Sequence, residues 1–122
     1  MKQLFLLLFL LPLSVCAQSK INCGKAETQE ELNYCAKRNF MRVDSELTAV
    51  QQQILKRLSQ KQRENLKDAQ KKWTAYRDAH CKMWANDFEG KTMHDMVFYD
   101  CLEETTSARI EELQEFSDNL ER

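Results

Sequence analysis

The chain has 122 residues, with 18 Lys and Arg against 19 Asp and Glu, two His and a formal net charge of −1. So even a balance argues against a nucleic-acid or anionic-membrane surface as partner, and the length allows one small domain with a limited core. Only two Gly and one Pro are present, so little interrupts long helices.

The chain opens "MKQLFLLLFLLPLSVCAQ", where Lys2 precedes an apolar run that ends in small residues. That is the layout of a secretory signal peptide, expected to occupy residues 1–17 with cleavage after Ala17. The run from Leu4 to Val15 falls short of the roughly 20 apolar residues needed to span a bilayer, and no other stretch qualifies, so no membrane span is expected. Lipid attachment at Cys16 is the lesser alternative, since Val15 fits the lipid-attachment pattern poorly. The expected location is periplasmic or secreted. Residues 18–122 then form one domain, with 17 basic residues against 19 acidic once Lys2 is removed, a balance of −2.

Three helices are expected, in chain order. "TQEE" at 28–31 offers a Thr cap with Glu three positions on, and Leu32, Ala36, Phe40, Val43, Leu47, Val50, Ile54 and Leu58 continue one stripe along a helix of roughly 30 residues. "SQKQ" at 59–62 is a second capping box, followed by Leu66, Ala69, Trp73, Tyr76 and His80 at the same spacing. This stripe predicts that Trp73 and Tyr76 face the first helix. "NDFEGKT" breaks the pattern, and a third helix starting near Met93 to Asp95 carries Phe98, Leu102, Thr105, Arg109, Leu113, Phe116 and Leu120. Together these predict an all-α fold, either a small antiparallel helical bundle or a long helical hairpin with a third packed helix. The heptad-like stripes also permit a homodimer through the long first helix.

Four cysteines follow the signal segment: Cys23, Cys35, Cys81 and Cys101. In an exported chain an even number reads as two disulfides, with three connectivities open. The favoured pairing is Cys23 with Cys35 and Cys81 with Cys101, since each joins a helix to the segment beside it. His80, Cys81, His94 and Cys101 have acceptable ligand types for zinc, but they lack the paired C-x-x-C or H-x-x-x-H turns of strong metal signals. No metal or cofactor is expected, and a disulfide-bonded sulfur is no nucleophile.

"WTAYRDAHC" at 73–81 concentrates chemistry-bearing residues, yet the spacing of Trp73, Tyr76 and His80 predicts core packing for the aromatics. Arg77 and Asp78 are adjacent and point apart, so Arg77 is expected to reach a carboxylate or helix end across the bundle instead of neutralising its neighbour. Glu30-Glu31, Glu103-Glu104 and Glu111-Glu112 are acidic pairs that read as solvated helix faces, not as a glycosidase dyad, and no enzyme activity is expected. Around Gly90, the segment 85–96 gathers Asp87, Phe88, Glu89, His94 and Asp95. Its ordinary reading is a solvated loop, but an aromatic anchor ringed by polar groups also fits a protein-binding interface, preorganised if a Cys81–Cys101 bridge clamps it.

The order Cys23, Thr28, "ELNYC" at 31–35, "DSEL" at 44–47, "WTAYRDAHC" at 73–81 and "CLEETTSARIEEL" at 101–113 resembles the LprI-type lysozyme inhibitor family, specifically its N-terminal domain. The resemblance covers nearly all of residues 18–122. It implies an exported, all-helical, disulfide-bonded bacterial protein whose named activity is inhibition of lysozyme. Trp73, Tyr76, Arg77, Asp78, Cys81, Cys101, Thr105 and Arg109 match the family pattern and read as its scaffold. The expected partner is thus a protein, lysozyme in the first instance, blocked by surface complementarity. The alternative is a non-catalytic envelope module that binds or assembles with another protein.

Overall fold

The computed structural model describes residues 20–120, so the expected signal segment and Cys16 lie outside the described residues. Three long helices make up most of the chain: α1 (Gln29–Leu55), α2 (Gln60–Ala85) and α3 (His94–Asn119), with 3-10 turns at Cys23–Lys25 and Asn86–Phe88. There is no strand among the described residues.

Both capping boxes form. The Thr28 hydroxyl accepts from the Glu31 N–H at 3.2 Å, while the Glu31 carboxylate accepts from the N–H groups of Thr28 at 3.1 Å and Glu27 at 3.0 Å. Ser59 and Gln62 repeat the exchange at the start of α2. Each box satisfies donors that the first helical turn leaves open. Arg63 then donates from Nε to the Leu55 carbonyl at 2.8 Å, tying the first turn of α2 to the last of α1.

Contacts between the helix ends give the topology. Asn33 near the start of α1 reaches Thr92 and Met96, and Arg57 just past its end reaches Ser117, so α1 and α3 run parallel while α2 returns between their ends. The broadest helix contact is α1 with α3. Val43, Leu47 and Ile54 of α1, Leu58 beyond it, and Ile110 and Leu113 of α3 form the buried apolar cluster, to which α2 adds only partly buried Leu66 and Trp73. The stripe on α1 that could have served a coiled-coil partner is therefore covered within the chain.

The inward face of α2 is rotated from the one expected, while α3 keeps Leu102 and Leu113 buried as expected. On α2 the buried positions are Gln70, Arg77, Cys81 and Ala85, whereas Tyr76 is 60% exposed and His80 only half-buried. From Trp73 the stripe advances by four residues at each step, so it passes Tyr76 and takes in polar Arg77. On α3, Thr106 and Ile110 are buried while Phe116 is 40% exposed. A reading led by hydrophobicity places the aromatics inward. The chain instead buries polar side chains that have partners there, which the low cost of a satisfied polar group permits.

The disulfides are Cys23–Cys35 and Cys81–Cys101, each with a Cα separation of 5.6 Å. The first fastens the segment before α1 to its second turn. The second joins the last turns of α2 to α3. In the chain-entropy account each contributes about 3 kcal/mol, large beside the 5–15 kcal/mol typical of a whole domain.

Hydrogen bonds from the Glu27 and Thr28 backbone N–H groups hold the Glu31 carboxyl below its ordinary range. A carboxyl depressed in the folded state contributes stability above its unfolded value and loses it as the pH falls through the folded one. Glu31→Gln keeps the reciprocal bonds without the titration, so thermal melts should show a shallower acid-side decline in the variant than in the native chain. Parallel pH profiles would show that the Glu31 charge does not contribute.

Candidate functional site

The sequence-derived candidates sit where α2 ends and α3 begins. Asn86–Phe88 form a single 3-10 turn, and Gly90 adopts a φ of 74°, a left-handed conformation that a side chain at that position would strain. Asp87, Glu89 and Asp95 are exposed, while Phe88 and His94 are half-buried. Lys91 lies 5.4 Å over the Phe88 ring and donates to the Asp87 carbonyl at 2.8 Å, which fixes the turn from its outer side. His94 stacks on Phe98 with ring centroids 6.2 Å apart and meets Asp95 through Nδ1 at 3.1 Å.

Of the five candidates, Glu89 and His94 share a shallow hollow with Lys82, Asn86 and Phe98, whereas Asp87, Phe88 and Asp95 lie outside its lining. The segment is thus one surface with a hollow on one side, not a single pocket formed by all five side chains.

Two features of this end were missed in the sequence. The first is Asn33. No side chain of the local sequence caps α3, whose N-cap residue is Met93. Asn33 fills the role from α1: its Oδ1 accepts from the Met96 N–H at 3.2 Å and its Nδ2 donates to the Thr92 carbonyl at 2.8 Å. Gln29 donates to the same Oδ1 at 2.9 Å and holds the amide in place. A cap supplied from 63 residues away leaves no local motif to find. The second is an aromatic row on α2 that leads into the turn. Tyr76 stacks on His80 at 5.5 Å, the Trp84 indole N–H donates to His80 Nε2 at 3.0 Å, and Trp84 and Met83 are 60% and 64% exposed.

The family-pattern residues other than Tyr76 form an internal network. Arg77, only 6% exposed, donates from Nη1 to Asp44 of α1 at 2.9 Å and to the Thr106 hydroxyl of α3 at 3.2 Å. It also pairs with Asp78, from Nε at 3.0 Å and Nη2 at 2.9 Å, so the adjacent carboxylate is a partner after all. Adjacent side chains diverge, but the long Arg side chain folds back while its fork stays engaged across the bundle. Its guanidinium lies 5.2 Å from the rings of both Phe40 and Trp73. Arg109 covers Trp73 at 5.7 Å, donates to Gln70 Oε1 at 2.7 Å and pairs with Glu112 at 2.8 Å. Thr105 places its hydroxyl 3.8 Å from Cys81 Sγ.

One member of each acidic pair is engaged in the fold: Glu31 in the α1 cap, Glu103 with Arg42 at 3.8 Å, and Glu112 with Arg109. The sulfurs of Cys81 and Cys101 bond each other and cannot act as thiolate ligands. Among the described residues no group of three or more His, Cys, Asp or Glu is arranged to hold a metal.

Asn33→Ala should cost about 1 kcal/mol, the usual loss of a helix cap, with faster hydrogen exchange concentrated at Met96 and the 86–93 turn. Uniformly faster exchange would mean that the residue supports the bundle generally and not this end. Arg77→Ala should destabilise by about 2 to 3 kcal/mol in chemical denaturation, whereas Asp44→Asn and Asp78→Asn should each cost less because one charged partner remains.

A family description, "Lysozyme inhibitor LprI", matches residues 20–113. The chain is also 29% identical over 117 residues to "Uncharacterized protein R02472" of Rhizobium meliloti (strain 1021), covering 85% of this chain and 84% of that protein. No solved structure matches it. With most of its length accounted for by one family, including the Arg77 network and all four described cysteines, the chain belongs to the LprI lysozyme inhibitor family.

Proposed function

We propose that this protein is exported as a domain beginning near residue 18 and inhibits lysozyme through the end of the bundle where α2 turns into α3. The observation that carries the reading is the clamped segment itself: Cys81–Cys101 and Asn33 hold exposed Asp87, Glu89 and Asp95 beside half-buried Phe88 and His94. Membership of an inhibitor family supports a protein partner. Two disulfides and the signal-like opening support an oxidising compartment outside the cytoplasm. No helix among the described residues is long and apolar enough to cross a membrane.

Lysozymes of the familiar type are basic proteins with an acidic catalytic cleft. Carboxylates around the clamped segment steer such a partner, and preorganisation limits the ordering cost on contact. Exposed Trp84 and Met83, one turn before Asp87, supply the large apolar area that contact energy concentrates in. The mode is occlusion of the cleft, with no turnover by the inhibitor and no cofactor. A homodimer is not required.

The test is lysozyme-driven clearing of a cell-wall suspension with the oxidised protein titrated in, beside a reduced and alkylated control. Dose-dependent slowing that disappears on reduction is expected. Joint replacement of Asp87, Phe88, Glu89, His94 and Asp95 by Ala should retain helicity and weaken inhibition by at least about thirtyfold, the scale of one strong contact residue, and Trp84→Ala should act in the same direction. Full inhibition by both variants would move the interface elsewhere. No slowing of several lysozyme types would favour a non-inhibitory envelope module.

A further inference from the structure

The opposite end of the bundle carries a second surface of different chemistry. Where α1 finishes and α2 begins, two adjoining hollows lie between these helices, of about 210 and 300 Å³. Leu55 and Leu66 provide apolar lining, Gln51, Gln52 and Gln70 provide amides, and Lys56, Arg63 and Lys67 provide all of the charge. In a chain with more acidic than basic residues, no carboxylate lines either hollow. The nearby acids of α2 are engaged elsewhere, Glu64 by Gln60 at 2.8 Å and Asp68 by Lys72 at 2.7 Å. Among the described residues neither Lys56 nor Lys67 has an ion-pair partner.

Gln70 lines the first hollow and is itself largely buried. The residue is only 8% exposed, yet its Nε2 has no hydrogen-bond partner. Its orientation is fixed, because Arg109 can only donate and must meet the amide oxygen, which it does at 2.7 Å. The amino group therefore stays on the other side of the amide, enclosed within the protein.

We propose that this groove binds a short acidic peptide segment of a partner protein, one that sets an apolar side chain on Leu55 and Leu66 and carboxylates against Lys56, Arg63 and Lys67. Paired amides suit a peptide backbone, which offers donors and acceptors alternately. Three cations without a counter-charge suit carboxylates. A nucleic acid is a poorer match, since the chain carries more acidic than basic residues. The site is separate from the Cys81–Cys101 end, so it stands independently of lysozyme inhibition.

The experiment uses a fluorescein-labelled peptide of alternating Leu and Glu, with the same peptide carrying Gln for Glu as control, titrated with the oxidised protein and read by fluorescence anisotropy. Saturable binding is expected for the Glu peptide, weakening as salt is raised and falling at least tenfold in the doubly substituted Lys56→Glu, Lys67→Glu protein. Both positions are exposed, so the fold should persist, as far-ultraviolet circular dichroism would confirm. The Ala variant of the 87–95 segment should bind the peptide as the native chain does. Equal binding of the Gln peptide, indifference to the two charge reversals, or no binding overturns the proposal. So does preferential binding of heparin, which would make the groove a polyanion site, or charge-dependent self-association in light scattering, which would make the occupant a second copy of this chain.

Discussion

Arg77 places a permanent positive charge where α2 meets the other two helices, and the bundle is arranged around satisfying it. The apolar cluster belongs to α1, its extension at Leu58, and α3. What α2 brings inward is Gln70, Arg77, Cys81 and Ala85, a face with little hydrophobic area of its own. Its attachment therefore depends on directional contacts: Arg63 to the Leu55 carbonyl, Arg109 to Gln70, Arg77 to Asp44 and Thr106, and Cys81 to Cys101. Flanking Phe40 and Trp73 cover the guanidinium with ring faces, which attract the charge while excluding water. Such contacts fix register more narrowly than oil-like packing, because a guanidinium fork has few acceptable geometries.

That register is what aims the candidate interface. The turn at 86–93 is not stabilised by packing of its own residues, most of which are exposed. It takes its position from the helices on either side, joined by the second disulfide, and from the Asn33 amide on α1. A surface built this way combines rigid placement with exposed side chains, the combination that recognition of a folded partner needs.

Much of the fold was legible from spacing alone. Two capping boxes marked the starts of α1 and α2, and eight apolar positions from Leu32 to Leu58 predicted the buried side of α1. The disulfide pairing favoured for its proximity along the chain, among three open connectivities, is the one that forms. Where the reading slipped, a polar residue had taken an inward position by virtue of a distant partner. Arg77 displaced Tyr76 because Asp44 and Thr106 lie across the bundle, and no property of α2 alone announces them. Asn33 escaped notice for the same reason, since its ligands are a carbonyl and an N–H of backbone. Of the candidate site, composition identified the segment but not its shape: only Glu89 and His94 share the hollow, and Tyr76 and His80, expected inward, instead form a row with exposed Trp84.

The borrowed cap on α3 also orders events in time. A Ser or Thr cap can form as soon as its own helix does, but Asn33 cannot reach Met96 until α1 and α3 lie side by side, an arrangement that closes a loop containing all of α2. The end that bears the candidate interface is consequently completed only once the parallel pair has docked. A chain still unfolded would lack the assembled surface, and the finished surface would coincide with completion of the fold.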